Sequence, residues 1–231
     1  MNKKKKWKNC FQIFKSSLIK VTLYTLILLY SFNSCTQNKS SSYNKNYKPI
    51  SVNDNNIHRA YFASGCFWCV EAIYESLLGV NEVISGYSGG ETENPSYKSV
   101  SSGKTGHAET IEVIYNPKVI SFSNLLDVYF TSQNIEQING QGPDLGSEYR
   151  SIIFYQNLEQ KHEILNKIRE LELKNRVKVA AEIYPFQKFW VAENYHQNFK
   201  KNNPNHPYIL NVSNPRFKNF KFNYNQLIND N

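Results

Sequence analysis

Residues 59–79 read RAYFASGCFWCVEAIYESLLG, and the two halves of this stretch have different periodicities. Residues 59–64 form a short apolar run that indicates a buried strand. After Gly65 the apolar residues recur at helical spacing as far as Gly79, a residue type that commonly caps helices. These residues are Phe67, Val70, Ile73 and Leu77. The stretch therefore predicts a strand that turns directly into a helix, with Cys66 in the first turn.

The segment Gly65-Cys66-Phe67-Trp68-Cys69 places two thiols three residues apart at the start of this helix. Unpaired N–H groups and the positive end of the helix dipole stabilise a thiolate there, and the thiolate is the reactive form. The spacing also permits a disulfide. A Cys-x-x-Cys pair can serve a redox enzyme, a thioredoxin-like oxidoreductase or a zinc site, or it can be buried and inert. Zinc requires about four ligands, and no second Cys or His pair follows, so we expect no metal.

Residues 1–35 have the order of an export signal. They contain seven lysines and no acidic residue, followed by an apolar run from Leu18 to Phe32. A membrane span needs about 20 apolar residues, and this run is shorter. The residues before Cys35 resemble a bacterial lipobox. We expect a signal peptide over residues 1–35, a lipid on Cys35 and an exported, periplasmic or cell-envelope protein held at the membrane; cleavage without lipid and a retained anchor are the alternatives.

The remainder of the chain divides into a polar linker and a folded body. Residues 36–56 are rich in Asn, Ser and Lys, which predicts a flexible tether. Because seven of the eight surplus positive charges lie in the leader, residues 57–231 carry no basic surplus that would indicate nucleic-acid binding. Cys66 and Cys69 are the only cysteines of this body, and in an exported protein that favours redox chemistry. We expect a monomer.

Strand and helix patterns alternate along the body, which favours a sheet covered by helices. Further strands are predicted at residues 80–87, 107–115, 149–155 and 177–183, and helices at residues 121–132, 158–173 and 191–199. We predict an α+β fold: a two-layer α/β sandwich with a ferredoxin-like mixed sheet covered by helices, and a coil-rich C-terminal part.

Five segments, by their order and spacing, resemble the methionine sulfoxide reductase A family over most of residues 57–200. They are Gly65–Cys69 (GCFWC), Gly86–Gly90 (GYSGG), Thr105–Glu109 (TGHAE), Gln141–Ser151 (QGPDLGSEYRS) and, more weakly, Ala192–Gln197 (AENYHQ). The resemblance implies an α+β catalytic domain over residues 57–231 that reduces free and protein-bound methionine S-sulfoxide. It implies no metal or organic cofactor, and an external dithiol such as thioredoxin as the reductant.

The resemblance also implies roles for individual residues. Cys66 corresponds to the catalytic nucleophile and Glu109 to a buried acid that protonates the sulfoxide oxygen. Tyr87 and Tyr149 correspond to two tyrosines that bind this oxygen. Cys69 is then the candidate that resolves the Cys66 sulfenic acid as a disulfide.

Three further residues correspond to substrate-binding positions: Phe67 and Trp68 to a pocket for the methyl group, and Asp144 to an acid near the substrate. The chain departs from the family pattern in two places. Residues 133–135 read Gln-Asn-Ile where the family often has His-Asp-Pro, and residues 204–231 lack the C-terminal cysteines of many members.

Two other functions stay open on the sequence alone. A thioredoxin-like disulfide oxidoreductase would depend on Cys66 and Cys69 and would be indifferent to Glu109. A surface lipoprotein that binds a partner would retain the fold without activity, and replacing Cys66 by serine would leave its role intact.

Overall fold

The computed structural model describes residues 47–53, 56–224 and 226–228. Its strands are β1 (His58–Ala63), β2 (Val80–Ser88), β3 (Ala108–Tyr115), β4 (Gly140–Gln141), β5 (Asp144–Leu145), β6 (Ile152–Tyr155), β7 (Glu182–Pro185) and β8 (Trp190–Val191). Six of them form one sheet in the order β7-β6-β1-β3-β2-β8, while β4 and β5 form a separate hairpin. The sheet is mixed, because β6 and β7 are parallel and every other neighbouring pair is antiparallel.

The helices are α1 (Phe67–Glu75), α2 (Tyr97–Val100), α3 (Phe122–Thr131), α4 (Leu158–Asn175), α5 (Phe199–Asn202) and α6 (Asn214–Asn223). Single helical turns cover Ser147–Tyr149, Asn194–His196 and Ile209–Ser213. Side chains define where the longer helices begin. The Ser121 hydroxyl accepts the N–H of Asn124 at the start of α3, and Asn157 accepts the N–H of Gln160 at the start of α4.

The central strand β1 buries side chains on both faces of the sheet. On one face Phe62 packs against Tyr74 of α1 and Tyr129 of α3, with ring centroids 5.3 and 5.5 Å apart. On the other face Tyr61 stacks on Phe186 at 3.8 Å. Helices therefore cover one face, and the chain segment after β7 covers part of the other.

Both ends of the described chain lie against the body. The N–H of Ile50 donates to the carbonyl of Phe186 at 2.9 Å, so the last residues of the predicted tether are held by the fold. At the other end Phe220 is fully buried, and the N–H of Leu78 donates to the carbonyl of Leu227 at 2.7 Å. The predicted signal peptide, Cys35 and residues 36–46 lie outside the described residues.

The mixed sheet covered by helices is confirmed, but some element predictions were wrong. The predicted helix at 191–199 is a short strand, a helical turn and the start of α5, because the Gln197 amide bonds to both the N–H and the carbonyl of Ser85 on β2. The strand predicted at residues 177–183 is β7, which begins at Glu182, and the C-terminal part contains α6 as well as coil. Within the described residues, no helix has the length and apolar composition needed to cross a membrane.

Candidate active site

Cys66 lies where β1 turns into α1. The turn passes through Gly65, whose φ is +76° and whose hypothetical Cβ would lie 2.5 Å from Cβ of Gln141, so only glycine fits. The Cys66 carbonyl accepts the N–H groups of Cys69 and Val70 at 3.1 and 3.4 Å, which makes Cys66 the residue that begins the helix. Its sulfur therefore lies at the helix N-terminus, where backbone N–H groups favour negative charge.

The two thiols are free, buried and close enough to influence each other's ionisation. Burial raises the pKa of Cys66, and the contact with Cys69 and the charge of Glu109 add to this effect. The hydrogen bond from Cys66 lowers the pKa of Cys69, and the Arg216 guanidinium and the Ser213 hydroxyl act in the same direction against burial. The ionisation of each sulfur therefore depends on that of the other.

Glu109 lies beside this pair on β3, directly opposite Tyr87 of β2 in the antiparallel register. Its carboxylate accepts the N–H of Phe67 at 3.0 Å, so the acid is fixed at the first turn of α1. Burial raises the pKa of Glu109 to about 8, and the charges of Asp144 and Glu148 act in the same direction. At neutral pH the carboxyl group is therefore protonated and can donate a proton.

The two candidate tyrosines have different surroundings. Tyr87 is fully buried, and its hydroxyl donates to the Glu193 carboxylate at 2.8 Å. The other oxygen of Glu193 accepts the N–H of Tyr97 at 2.9 Å. Tyr149 is half-buried, and burial followed by the charge of Glu109 raises its pKa, so its hydroxyl stays protonated as a donor.

Phe67 and Trp68 form one aromatic wall of the site, with ring centroids 6.3 Å apart. Phe67 is buried against Tyr87, whereas Trp68 keeps part of its surface exposed. The Trp68 ring is fixed from two sides: its Nε1–H donates to Nδ1 of His196 at 3.1 Å, and its face stacks on Phe199 at 3.6 Å. The wall is therefore apolar and rigid, as binding a methyl group requires.

Asp144 reaches the thiol pair through Tyr208. The Tyr208 hydroxyl donates to the Asp144 carboxylate at 2.5 Å and lies 3.8 Å from the Cys69 sulfur. Asp144 and Arg216 also border a cleft of about 460 Å³. In the stretches that the structure describes, no group of three His, Cys, Asp or Glu side chains lies close enough together to hold a metal ion.

A protein-family model described as peptide methionine sulfoxide reductase matches residues 58–227. The chain belongs to this family. Peptide methionine sulfoxide reductase MsrA of Pasteurella multocida is 43% identical over 169 residues, which cover 73% of this chain and 97% of that protein. The MsrA protein of Nautilia profundicola is also 43% identical, over 70% of this chain and 93% of its own length.

Solved structures agree with this assignment. Mxr1 from Saccharomyces cerevisiae in reduced form superposes with a TM-score of 0.63 at 34% identity, covering 68% of this chain and 91% of that one. Methionine sulfoxide reductase A of Corynebacterium diphtheriae superposes with a TM-score of 0.59 at 26% identity, covering 69% and 83%. The protein is therefore an oxidoreductase of the methionine sulfoxide reductase A type, and its α+β fold is that of the family.

The structure of this reductase brings together the residues that the sequence singled out in the body. They are Cys66, Phe67, Trp68, Cys69, Tyr87, Glu109, Asp144 and Tyr149. Three further groups complete the site and were not predicted from the sequence: Tyr208, Arg216 and Glu193. Glu193 was within reach, because it belongs to the weak fifth segment of the resemblance. Tyr208 and Arg216 lie in the C-terminal part, where no motif marked them.

Proposed function

We propose that this reductase converts the S epimer of methionine sulfoxide, free and in proteins, to methionine with Cys66 as the nucleophile. One observation carries the proposal: a buried thiol at a helix N-terminus lies beside a buried carboxyl group, Glu109, that is neutral at pH 7. Sulfoxide reduction needs a proton on the departing oxygen, which a neutral carboxyl group can supply, whereas thiol–disulfide exchange breaks no S–O bond.

The sulfoxide oxygen must be protonated before its sulfur becomes a good electrophile. The Glu109 carboxyl can donate this proton, and the Tyr149 hydroxyl can stabilise the developing charge on the oxygen. The Tyr87 hydroxyl donates its hydrogen bond to Glu193. To bind the sulfoxide oxygen, Tyr87 must first release Glu193; in the present geometry it supports the pocket wall. The substrate methyl group would lie against the exposed part of Trp68.

The first chemical step transfers one oxygen atom from substrate to enzyme. The Cys66 sulfur attacks the sulfoxide sulfur while Glu109 protonates the oxygen, and the thiol proton restores the Glu109 carboxyl group. The S–O bond of the substrate then breaks, and the oxygen passes to Cys66. Methionine leaves as the reduced product, and Cys66 is oxidised to a sulfenic acid.

Cys69 then closes the first half of the cycle. Its sulfur is in contact with Cys66, so it can attack the sulfenic acid, form the Cys66–Cys69 disulfide and release the oxygen as water. An external dithiol of the thioredoxin type reduces this disulfide and is itself oxidised to a disulfide. No metal or bound organic cofactor takes part.

The test compares wild type, Cys66→Ser and Cys69→Ser on each sulfoxide epimer, with dithiothreitol and then with thioredoxin as reductant. We expect wild type to reduce only the S epimer, Cys66→Ser to be inactive, and Cys69→Ser to release one methionine per enzyme but to lose thioredoxin-driven turnover. Reduction of disulfides without reduction of sulfoxide would replace this proposal with the thioredoxin-like one.

We also propose that the reductase is exported, carries a lipid on Cys35 and repairs oxidised proteins of the cell envelope. The order of charged and apolar residues in 1–35 supports this. Replacing Cys35 by alanine should abolish incorporation of labelled fatty acid and release the protein from the membrane fraction. Recovery of the wild-type protein only from cytosol would contradict the proposal.

A further inference from the structure

The C-terminal part of the chain places a cation beside the turn between β1 and α1, which precedes the two thiols. Arg216, in the first turn of α6, donates from Nε to the carbonyl of Ser132 and from Nη2 to the hydroxyl of Ser64, both at 2.9 Å. Ser64 lies between β1 and Gly65, and its hydroxyl also bonds to Gln133. Two of its nitrogens therefore fix the guanidinium group in a half-buried position, and Nη1 lies 3.5 Å from where a Cβ on Gly65 would be.

Cys69 is 2% exposed, so the groups that face it decide whether its sulfur carries a charge. Among described residues, the neutral and acidic neighbours are Cys66, Tyr208, Ser213, Glu109 and, through Tyr208, Asp144, whose carboxylate also interacts with Arg216; the cations are Arg216 and Lys200. The Ser213 hydroxyl is buried, has no hydrogen-bond partner among the described residues, and is near enough to Cys69 to favour its thiolate.

The two cations are not equivalent. Lys200 is a single charge on a flexible stem, and its Nζ lies 3.9 Å from the centre of the Phe217 ring. Arg216 is held by two hydrogen bonds from its guanidinium group. A buried thiol without a fixed positive neighbour stays protonated, and a protonated thiol is a poor nucleophile.

We propose that Arg216 is a positioning residue of the resolving step: its charge, fixed at Ser64 and beside Gly65 in the turn before the two thiols, favours attack of the Cys69 sulfur on Cys66. This inference rests on the proposed function. In this step the Cys69 thiolate attacks the sulfur of the Cys66 sulfenic acid, an S–S bond forms, the S–O bond breaks, and the hydroxide takes a proton from solvent and leaves as water. The C-terminal part, which has no cysteine, thus supplies the charge that makes the nearby Cys69 an effective resolving thiol.

The experiment separates the two half-steps in the full-length protein. One turnover without reductant gives the rate of methionine formation, and trapping with a dimedone-type reagent gives the lifetime of the sulfenic acid. A third measurement follows the pH dependence of Cys69 alkylation by iodoacetamide in the Cys66→Ser background. The variants are Arg216→Gln, Arg216→Lys and, as a matched control, Lys218→Gln, which removes an exposed cation from the same helix.

We expect Arg216→Gln to prolong the sulfenic acid lifetime about tenfold or more and to move the midpoint of Cys69 alkylation to higher pH, since each pKa unit corresponds to a tenfold change. Methionine formation should change much less in this variant, because Arg216 is not among the groups that chiefly shift the pKa of the nucleophile Cys66. Arg216→Lys keeps a positive charge at this position but not both hydrogen bonds, so it should restore part of the resolving rate, and Lys218→Gln should behave as wild type.

The outcomes distinguish this inference from a structural role and from the proposed function. If Arg216→Lys resolves as slowly as a folded Arg216→Gln, or if alkylation of Cys69 keeps its wild-type pH midpoint in Arg216→Gln, the inference is overturned. If Arg216→Gln does not fold, Arg216→Lys alone decides, because a structural role predicts slow resolution there as well. If wild type forms no methionine in one turnover, the proposed function fails instead.

Discussion

Glu109 is the residue whose protonation state controls the proposed first step. Burial raises its pKa from the ordinary 4.5 to about 8, and the reaction requires the protonated form. We therefore expect single-turnover methionine formation to be constant at neutral pH and to fall as the pH rises through about 8. In Glu109→Gln the single-turnover rate of methionine formation should be lower by about 100-fold or more, and it should not decline between neutral pH and higher pH. A wild-type profile that rises across the same interval would contradict a proton-donating Glu109.

The same burial makes Glu109 costly to the folded state. The unfolded chain loses its proton near pH 4.5 and the folded protein near pH 8, so stability decreases as pH rises between these values. At pH 7 the difference corresponds to about 3 kcal/mol. Glu109→Gln should therefore unfold at a higher denaturant concentration than wild type at pH 7, and this advantage should disappear near pH 4. Equal stability of both proteins at pH 7 would exclude a buried neutral acid.

The residues of this site were predictable to different degrees, for a physical reason. Cys66 and Cys69 are adjacent on one helical turn, so local spacing predicted their proximity. Glu109 was found only through the resemblance, because alternation along a strand normally indicates a solvated carboxylate. Tyr208 and Arg216 reach the thiols from far along the chain, and neither has a local sequence pattern that specifies this long-range packing.

At the scale of elements, the segments Gly86–Gly90 and Thr105–Glu109 contact each other where β2 ends and β3 begins. The N–H of Gly90 donates to Nδ1 of His107 at 3.1 Å, and a Cβ on Gly90 would lie 2.4 Å from the His107 nitrogen and 2.5 Å from the Thr105 carbonyl oxygen. Because these are backbone atoms, they cannot move aside cheaply. We expect Gly90→Ala to cost about 2 kcal/mol or more in denaturant unfolding.

Gly142→Ala provides the comparison, because nothing lies within 4 Å of its hypothetical Cβ although its φ is +60°. This variant introduces backbone strain but no contact between the new Cβ and other atoms. We expect it to lower the unfolding free energy by about 1 kcal/mol. If Gly90→Ala cost no more than Gly142→Ala, the contact between the two segments would not be the reason that glycine is required.

The segment after β8 supports the aromatic wall through Glu71 of α1. This buried carboxylate accepts the N–H of Asn198 at 3.0 Å, and the next residue, Phe199, stacks on Trp68. We expect Glu71→Ala to loosen this stack and raise KM for sulfoxide several-fold, with a smaller effect on the single-turnover rate at saturation. Glu75→Ala removes an exposed carboxylate from the same helix and should leave KM unchanged. An unchanged KM in Glu71→Ala would show that the hydrogen bond from Asn198 to Glu71 does not affect substrate binding at the Trp68–Phe199 stack.

This segment also shows why some elements were mispredicted. Residues 191–199 have apolar and aromatic residues at spacings compatible with a helix, yet backbone pairing of Val191 with Gly86 extends the sheet there instead. The side chain of Gln197 then occupies the N–H and carbonyl of Ser85. Tertiary hydrogen bonds of this kind override a short helical pattern. By contrast, α3 and α4 begin at side-chain caps that the sequence displays locally.

At the scale of the whole molecule, the C-terminal part closes the fold around α1. Phe220 is fully buried in the same core as Cys69, Leu77 and Ile228 form a bridge, and Tyr208 and Arg216 reach the thiols. The segment therefore stabilises the body and shapes its active site together. Its role could not be predicted from composition, because the exposed residues of α6 leave no clear amphipathic pattern.

We expect a chain that ends at Asn203 to be less stable and to resolve the Cys66 sulfenic acid more slowly. This chain lacks Phe220, so the core residues that pack against Phe220 become exposed. The loss should lower the unfolding free energy by about 3 kcal/mol or more, as replacing a buried aromatic residue by alanine does. Any protein that remains folded should form methionine in one turnover but accumulate sulfenic acid, because Tyr208 and Arg216 are gone. A chain that ends at Ile228 keeps all these contacts and serves as the control. Thermal unfolding and sulfenic acid trapping measure the two effects, and rapid disulfide formation in the folded shorter chain would show that Cys69 resolves Cys66 without help from the C-terminal part.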